Sequence, residues 1–186
     1  MKMFLETSLD NLYLCLIDKN DKVINKINIP SLVKKTDVLF ENINILFKNI
    51  NVSINELTDI YTTLGPGSFS GARIGFLFAR TISQLSNIKL YVCETYLLFK
   101  KQLELSKNSK SEIKIKANKY SVYKIKFSNK KIISTIEENK NDYDIFNYQL
   151  FENNVSQFLK IFREVKNPMD IELCYLHEPQ IGGIKC

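Results

Sequence analysis

Leu64-Gly65-Pro66-Gly67-Ser68-Phe69-Ser70-Gly71-Ala72-Arg73-Ile74-Gly75 carries four of the six glycines of this 186-residue chain and runs straight into an apolar segment. The order is strand, tight turn, helix start. Pro66-Gly67 suits the centre of a type II turn, because proline presets the first φ and glycine accepts a positive φ at the second. Ser68 or Ser70 would cap the following helix by accepting a backbone N–H bond. The spacing matches none of the common phosphate cradles. A P-loop has Lys-Ser/Thr after its last glycine, whereas Gly71 is followed by Ala72-Arg73. The dinucleotide fingerprint would need glycine at 70, where serine stands, and the nucleophile elbow would need serine at 69, where phenylalanine stands. By spacing alone the loop is built for packing, or for an anion at the helix start.

The helix that follows has two faces. Gly71, Gly75, Ala79 and Ser83 recur every four residues and leave one face almost bare. Ile74, Leu77, Phe78, Ile82 and Leu85 form a bulky face at helical spacing. The small stripe would let another helix approach closely, and the bulky face fits a sheet. Arg73, Arg80 and the short apolar run exclude a membrane span.

The stretch 65–75 resembles the Gly-Pro-Gly-Ser-Phe-Thr-Gly-x-Arg-x-Gly signature of the TsaB (YeaZ) family, with Ser70 in place of threonine. Members are actin-like partner proteins in the bacterial machinery that makes N6-threonylcarbamoyladenosine in tRNA. The resemblance implies an α/β, actin-like ATPase (ribonuclease-H-like) fold in two lobes. An N-terminal lobe would span 1–105 and a reduced, shortened C-terminal lobe 106–186, after the linker Ser106-Lys107-Asn108-Ser109-Lys110-Ser111.

Outward from the loop, composition bounds the rest. A chain 45% hydrophobic and 25% charged can bury a real core. No signal peptide or membrane segment is legible. The net charge of +6 comes from dispersed lysines among asparagines and isoleucines, without the compact basic and aromatic runs of a nucleic-acid binder. Cys15, Cys93, Cys174 and Cys186 show no Cys-x-x-Cys pair; Cys15 and Cys93 read as buried thiols, and a reducing cytoplasm is expected.

Strands are expected at 2–8, 12–17 and 23–29, around an Asp10-Asn11 turn. After Pro30, with Ser31 or Thr36 as cap, a helix carries Leu32, Thr36, Leu39, Ile43, Leu46 and Ile50 on one face and Val33, Phe40 and Phe47 on a neighbouring ridge. That apolar arc is wider than one sheet requires. A short helical turn at 53–59, strands at 60–64 and 88–93, and helices at 71–86 and 94–105 complete the first lobe. In the second, strands are expected at 113–117, 121–127 and 131–136 with a turn at 128–130, then a helix at 151–162 and a strand at 172–176. Tyr175-Leu176 resembles the family's closing Tyr-Leu-Arg, with His177 for arginine.

Actin-like ATPases hold phosphate on glycine-rich hairpins of both lobes, yet no glycine occurs between Phe76 and Ile181. Glu6 stands where the family has Asp, and Lys116-Ala117-Asn118 replaces its Asp-Ala-Arg. The expectation is a non-catalytic scaffold without a catalytic residue, metal or cofactor of its own. The weaker anion or nucleotide contacts would be Thr7, Ser8, Gly67, Ser68 and Ser70. The resemblance implies docking of a TsaD-like actin-fold protein through the first two helices, at Leu39, Phe40, Ile43, Phe47, Arg73, Gly75, Phe76, Ala79 and Ser83. It further implies a TsaE-like ATPase, a homodimer when alone, tRNA contact only within the complex, and ATP with Mg2+ held by partner subunits or at a shared interface. The alternative is a small phosphotransferase or hydrolase using the glycine loop with Thr7, Ser8 or Glu6, which calorimetry with ATP and Mg2+ would distinguish.

Overall fold

The computed structural model of the chain describes residues 1–128, 132–174 and 176. Three strands open it, β1 (Lys2–Glu6), β2 (Leu12–Ile17) and β3 (Val23–Ile29), paired as an antiparallel meander. Successive residues of a strand face opposite ways, and both sides here are apolar. Met3, Leu5, Leu12, Leu14 and Leu16 enter one core cluster; Phe4, Tyr13, Cys15 and Ile17 enter another. Such a sheet must be covered on both faces.

The cover is supplied in order. α1 (Lys35–Lys48), β4 (Asp59–Thr63), α2 (Phe69–Leu85), β5 (Lys89–Cys93) and α3 (Thr95–Leu105) follow. β4 runs parallel to β1 and β5 parallel to β4, as long crossovers allow. Leu39, Ile43 and Leu46 of α1 and Phe76, Phe78 and Ala79 of α2 close the first face. Next, β6 (Glu112–Lys116), β7 (Ser121–Phe127) and β8 (Ile132–Glu138) form a separate antiparallel sheet, whose Ile113, Ile115 and Ile125 join Leu98 and Phe99 of α3 on the second face. The chain then returns. α4 (Tyr148–Asn153) and α5 (Val155–Leu159) lie on that face, where Phe151 meets Phe4 at 4.7 Å and Tyr148 stacks on Tyr13 at 4.3 Å. β9 (Arg163–Glu164) pairs with β5, giving the order β3-β2-β1-β4-β5-β9.

Several local expectations are corrected. Neither Ser31 nor Thr36 caps α1. The helix begins only at Lys35, after Lys34 with no side-chain cap, and Thr36 bonds Asp37 instead. Ser68, not Ser70, caps α2, its Oγ accepting the Gly71 N–H at 3.3 Å. The glycine turn is not type II: the Gly65–Pro66 peptide is cis and Gly65 takes φ of 89°, its carbonyl drawn to the Thr95 N–H at 2.7 Å. The expected helix 151–162 is broken at Asn154, whose φ and ψ of −136° and 32° leave the helical region while its side chain bonds Leu150 O. Of the strand expected at 172–176, the described residues 172–174 form no ladder, because β9 occupies the β5 edge and Cys174 N–H bonds Leu64 O instead. The bulky face of α2 is only partly covered, since Leu77 and Leu85 are exposed. Residues 129–131, Tyr175 and His177 lie outside the described residues.

Candidate functional site

Glu6 closes the first hairpin from within. Its carboxylate is fully buried; Oε1 accepts from Ser8 N–H at 2.6 Å, Ser8 Oγ at 2.6 Å and Leu9 N–H at 3.0 Å, and Oε2 from Thr63 Oγ1 at 2.6 Å. Burial raises its pKa, and the bonds from Ser8, Thr63 and Leu9 pull the other way. A turn that gathers backbone N–H groups is an anion cradle, and here the chain supplies the anion itself.

The glycine loop seals that turn. Ser68 N–H donates to Ser8 O at 2.7 Å, and Thr7 Oγ1 donates to Gly71 O at 2.7 Å. A Cβ at Gly67 would fall 2.3 Å from Ser8 O, one at Gly71 2.0 Å from Thr7 O, and one at Gly75 2.1 Å from Thr7 Oγ1. The small stripe therefore seats α2 on a hairpin of its own chain, where sequence spacing had suggested another helix. Thr7, Ser8 and Gly67 are buried in this junction, Ser68 is half-buried, and Ser70 is exposed.

Beside the junction lies a cleft of about 400 Å³, lined in part by Asp10, Lys35, Ser68, Ser70, Lys116 and Lys119. Lys116, where the family resemblance expects an acid, pairs with Asp10 Oδ1 at 3.0 Å and donates to the Tyr143 hydroxyl at 3.2 Å. It thereby ties the second sheet to the first hairpin. Asn118 is occupied by its own turn, its Oδ1 accepting from Tyr120 and Ser121 N–H. Lys35 is buried at the start of α1, and burial lowers its pKa. Sequence reasoning passed over Lys35 and Lys119. The one available signal was that Lys35 precedes Leu39 by four residues, on the buried stripe.

On the far side of α1 and α2, the residues expected at a docking face divide. Leu39, Ile43, Phe47, Gly75, Phe76 and Ala79 are buried within the chain. Phe40 is 54% exposed and meets Phe78 edge-on at 5.9 Å. Arg73 is exposed with its guanidinium 4.3 Å from the Phe69 ring centre, and Ser83 is half-buried. Leu77, 52% exposed, was not among those expected. Among the described residues no group of three or more His, Cys, Asp or Glu could hold a metal ion, and no helix is long and apolar enough to cross a membrane.

The family model for TsaD, described as tRNA N6-adenosine threonylcarbamoyltransferase, matches residues 29–135, more than half of the chain. The chain belongs to this family. Within it the chain is a TsaB/YeaZ homologue. The tRNA threonylcarbamoyladenosine biosynthesis protein TsaB of Buchnera aphidicola is 35% identical over 127 residues, which cover 66% of this chain and 56% of that protein. An uncharacterized protein of Mycoplasma pneumoniae is 29% identical over 195 residues, 96% of this chain and 95% of its own length. Among solved structures, YeaZ from Pseudomonas aeruginosa matches with a TM-score of 0.54 at 12% identity, over 78% of this chain and 71% of that one. A second structure, of an uncharacterized Pseudomonas aeruginosa protein similar to peptidase YeaZ, gives 0.55 at 14% identity, over 78% and 70%. The fold is thus the actin-like, ribonuclease-H-like one that the glycine signature implied, and the TsaB/YeaZ family takes part in threonylcarbamoyladenosine biosynthesis in tRNA.

Proposed function

We propose that this TsaB/YeaZ homologue is a non-catalytic subunit that docks a TsaD-like protein and supports N6-threonylcarbamoyladenosine formation in tRNAs reading codons that begin with A. The observation that carries this is the second apolar ridge of α1 and α2. A helix lying on a sheet needs one apolar stripe, and these two have theirs buried, yet Phe40 and Leu77 still stand more than half exposed. An apolar patch beyond what folding needs is the mark of a docking surface. Arg73 and Ser83 flank it, while Leu39, Ile43, Phe47, Gly75, Phe76 and Ala79 support it from beneath.

The non-catalytic part of the proposal is supported by Glu6, which takes the Ser8 and Leu9 N–H groups that a phosphate would otherwise meet. ATP and Mg2+ then belong to partner subunits or a shared interface, and a TsaE-like ATPase joins the pair. tRNA is met within the complex, the chain homodimerises through the same ridge when alone, and its place is the cytoplasm. Two lobes, 1–105 and a reduced 106–186, complete the proposal.

Co-expression with a TsaD-like protein tests it. Phe40→Arg and Leu77→Arg should each abolish co-purification while leaving the circular dichroism and Tm of the free chain unchanged. A complex that survives both substitutions refutes the interface. ATP hydrolysis or tRNA modification by the isolated chain refutes the non-catalytic assignment.

A further inference from the structure

β8 forms an outer edge of the second sheet, paired with β7 alone among the described strands. An open edge offers a row of unpaired N–H and C=O groups to any other strand, and folded chains usually blunt it with charge, shortness or cover. The other three sheet edges here are blunted. β3 carries Lys26 at its centre, β9 is the charged pair Arg163-Glu164, and along β6 the Lys114 N–H and carbonyl are both taken by Asp144. β8 has none of these defences. From Ile132 to Ile136 it holds no charge, and its register against β7 is unbroken over seven residues. Among the described residues no group beyond β7 bonds its backbone.

One face of that edge is apolar. Pairing places Ile132 opposite Phe127, Ser134 opposite Ile125 and Ile136 opposite Tyr123, and opposed residues share a face. It is the face whose Ile113, Ile115 and Ile125 are buried in the second core cluster. Cover runs out before β8, where Ile132 and Ile136 are 43% and 44% exposed. The sequence of the strand says what fits there. Lys130-Lys131 precede it and Glu137-Glu138 close it, so an antiparallel copy aligns basic ends with acidic ones. A twofold axis through Ser134 sets Ile132 opposite Ile136 of the second copy and keeps the apolar face continuous. Moving the axis to Ile133 or Thr135 sets an isoleucine against a lysine or a glutamate instead.

We propose that β8 pairs antiparallel with β8 of a second copy about a twofold axis through Ser134, joining the two three-stranded sheets into one continuous sheet. The contact is isologous. It lies across the first sheet from the α1–α2 ridge, which belongs to the other core cluster. Two copies joined in this way keep both ridges free for TsaD-like proteins. A single strand pair is a small contact, so the dimer forms as concentration rises and is not obligate.

Sedimentation velocity and disulfide trapping of the full chain test this, in a Leu77→Arg background so that contact through the ridge does not enter. That chain should pass from monomer to dimer as concentration rises. Ile136→Lys disrupts a pair that occurs twice per dimer and should raise the dimer Kd by about tenfold or more. At this exposed position the circular dichroism and Tm should not change. Adding Ile132→Glu places opposite charges across the axis and should recover most of the loss. Ser134→Cys faces its own copy with Cα atoms about 4.5–5.5 Å apart, within disulfide reach. Diamide should therefore cross-link it above the background of the native cysteines. Thr135→Cys faces its copy diagonally at about 7–8 Å and should cross-link more slowly. The trapping comparison decides the matter even where Ile136→Lys fails to fold. A background chain that stays monomeric up to about 1 mM overturns the proposal. So does unchanged dimerisation in Ile136→Lys, no recovery by Ile132→Glu, or faster trapping of Thr135→Cys than of Ser134→Cys. None of these readouts depends on the TsaD-like partner, so the docking proposal can fail or stand independently.

Discussion

Replacing Gly75 by alanine should change sign with the residue at position 7. In the native chain the new Cβ would lie 2.1 Å from Thr7 Oγ1 and 3.3 Å from Thr7 Cβ and Cγ2. Thr7 cannot easily turn aside, because its hydroxyl is held by Gly71 O at 2.7 Å. Overpacking of this kind costs about 1–3 kcal/mol, against which alanine in a helix interior gains about 1 kcal/mol over glycine. The net expectation is a destabilisation of up to about 2 kcal/mol. In a Thr7→Ala background the offending Oγ1 and Cγ2 are gone, and the closest remaining atom is Cβ at 3.3 Å. There Gly75→Ala should stabilise by several tenths to about 1 kcal/mol, the helix preference alone. Thr7→Ala by itself should cost about 1 kcal/mol for its lost hydrogen bond. Urea unfolding of the four proteins, followed by far-UV circular dichroism, closes the cycle. If Gly75→Ala has the same effect in both backgrounds, α2 is not seated on the hairpin turn as described.

Other predictions follow from the same junction and the ridge. Glu6 has a folded-state pKa raised above its ordinary 4.5, so between the two values the folded chain holds more protons than the unfolded one. Stability should therefore decline as pH rises from about 4.5 through the folded pKa, with the penalty complete above it. Glu6→Gln should remove that decline, and parallel urea-midpoint profiles for the two proteins would contradict it. Glu6→Ala, which leaves the Ser8 and Leu9 N–H groups and the Thr63 hydroxyl without their acceptor, should cost about 2–5 kcal/mol by chemical denaturation. Ser68→Ala removes the α2 cap and should cost about 1 kcal/mol, while Ser70→Ala, exposed inside the helix, should be close to neutral. Leu77→Arg, on the exposed ridge, should alter stability by less than about 0.5 kcal/mol, with loss of co-purification as its only large effect.

Short-range chemistry was legible. The apolar run of Met3, Phe4 and Leu5 announces a strand, and Gly65 to Gly75 announces a strand-to-helix turn whose signature implied the fold. The apolar arc of α1 was legible as too wide for one sheet, and Phe40 is indeed left in solvent. The partner of the small stripe was not legible. Gly71 and Gly75 say that something comes close, but helical spacing is the same whether that is a second helix or the Thr7 turn more than sixty residues earlier. Nor was the fate of Glu6, whose acceptor positions are filled in part by Thr63 from another strand.

By itself, then, the sequence determined which segments as far as the second sheet would be strands and helices, where the glycine turn falls and which family pattern it carries. These depend on local backbone sterics and on periodicities that a single strand or helix displays alone. Only the tertiary structure decided that 146–165 returns to cover the first sheet, that α2 sits on its own hairpin, and that Lys35 is buried beside a cationic cleft. Burial and charge pairing depend on atoms brought together from distant parts of the chain, and no local pattern records which distant group will arrive.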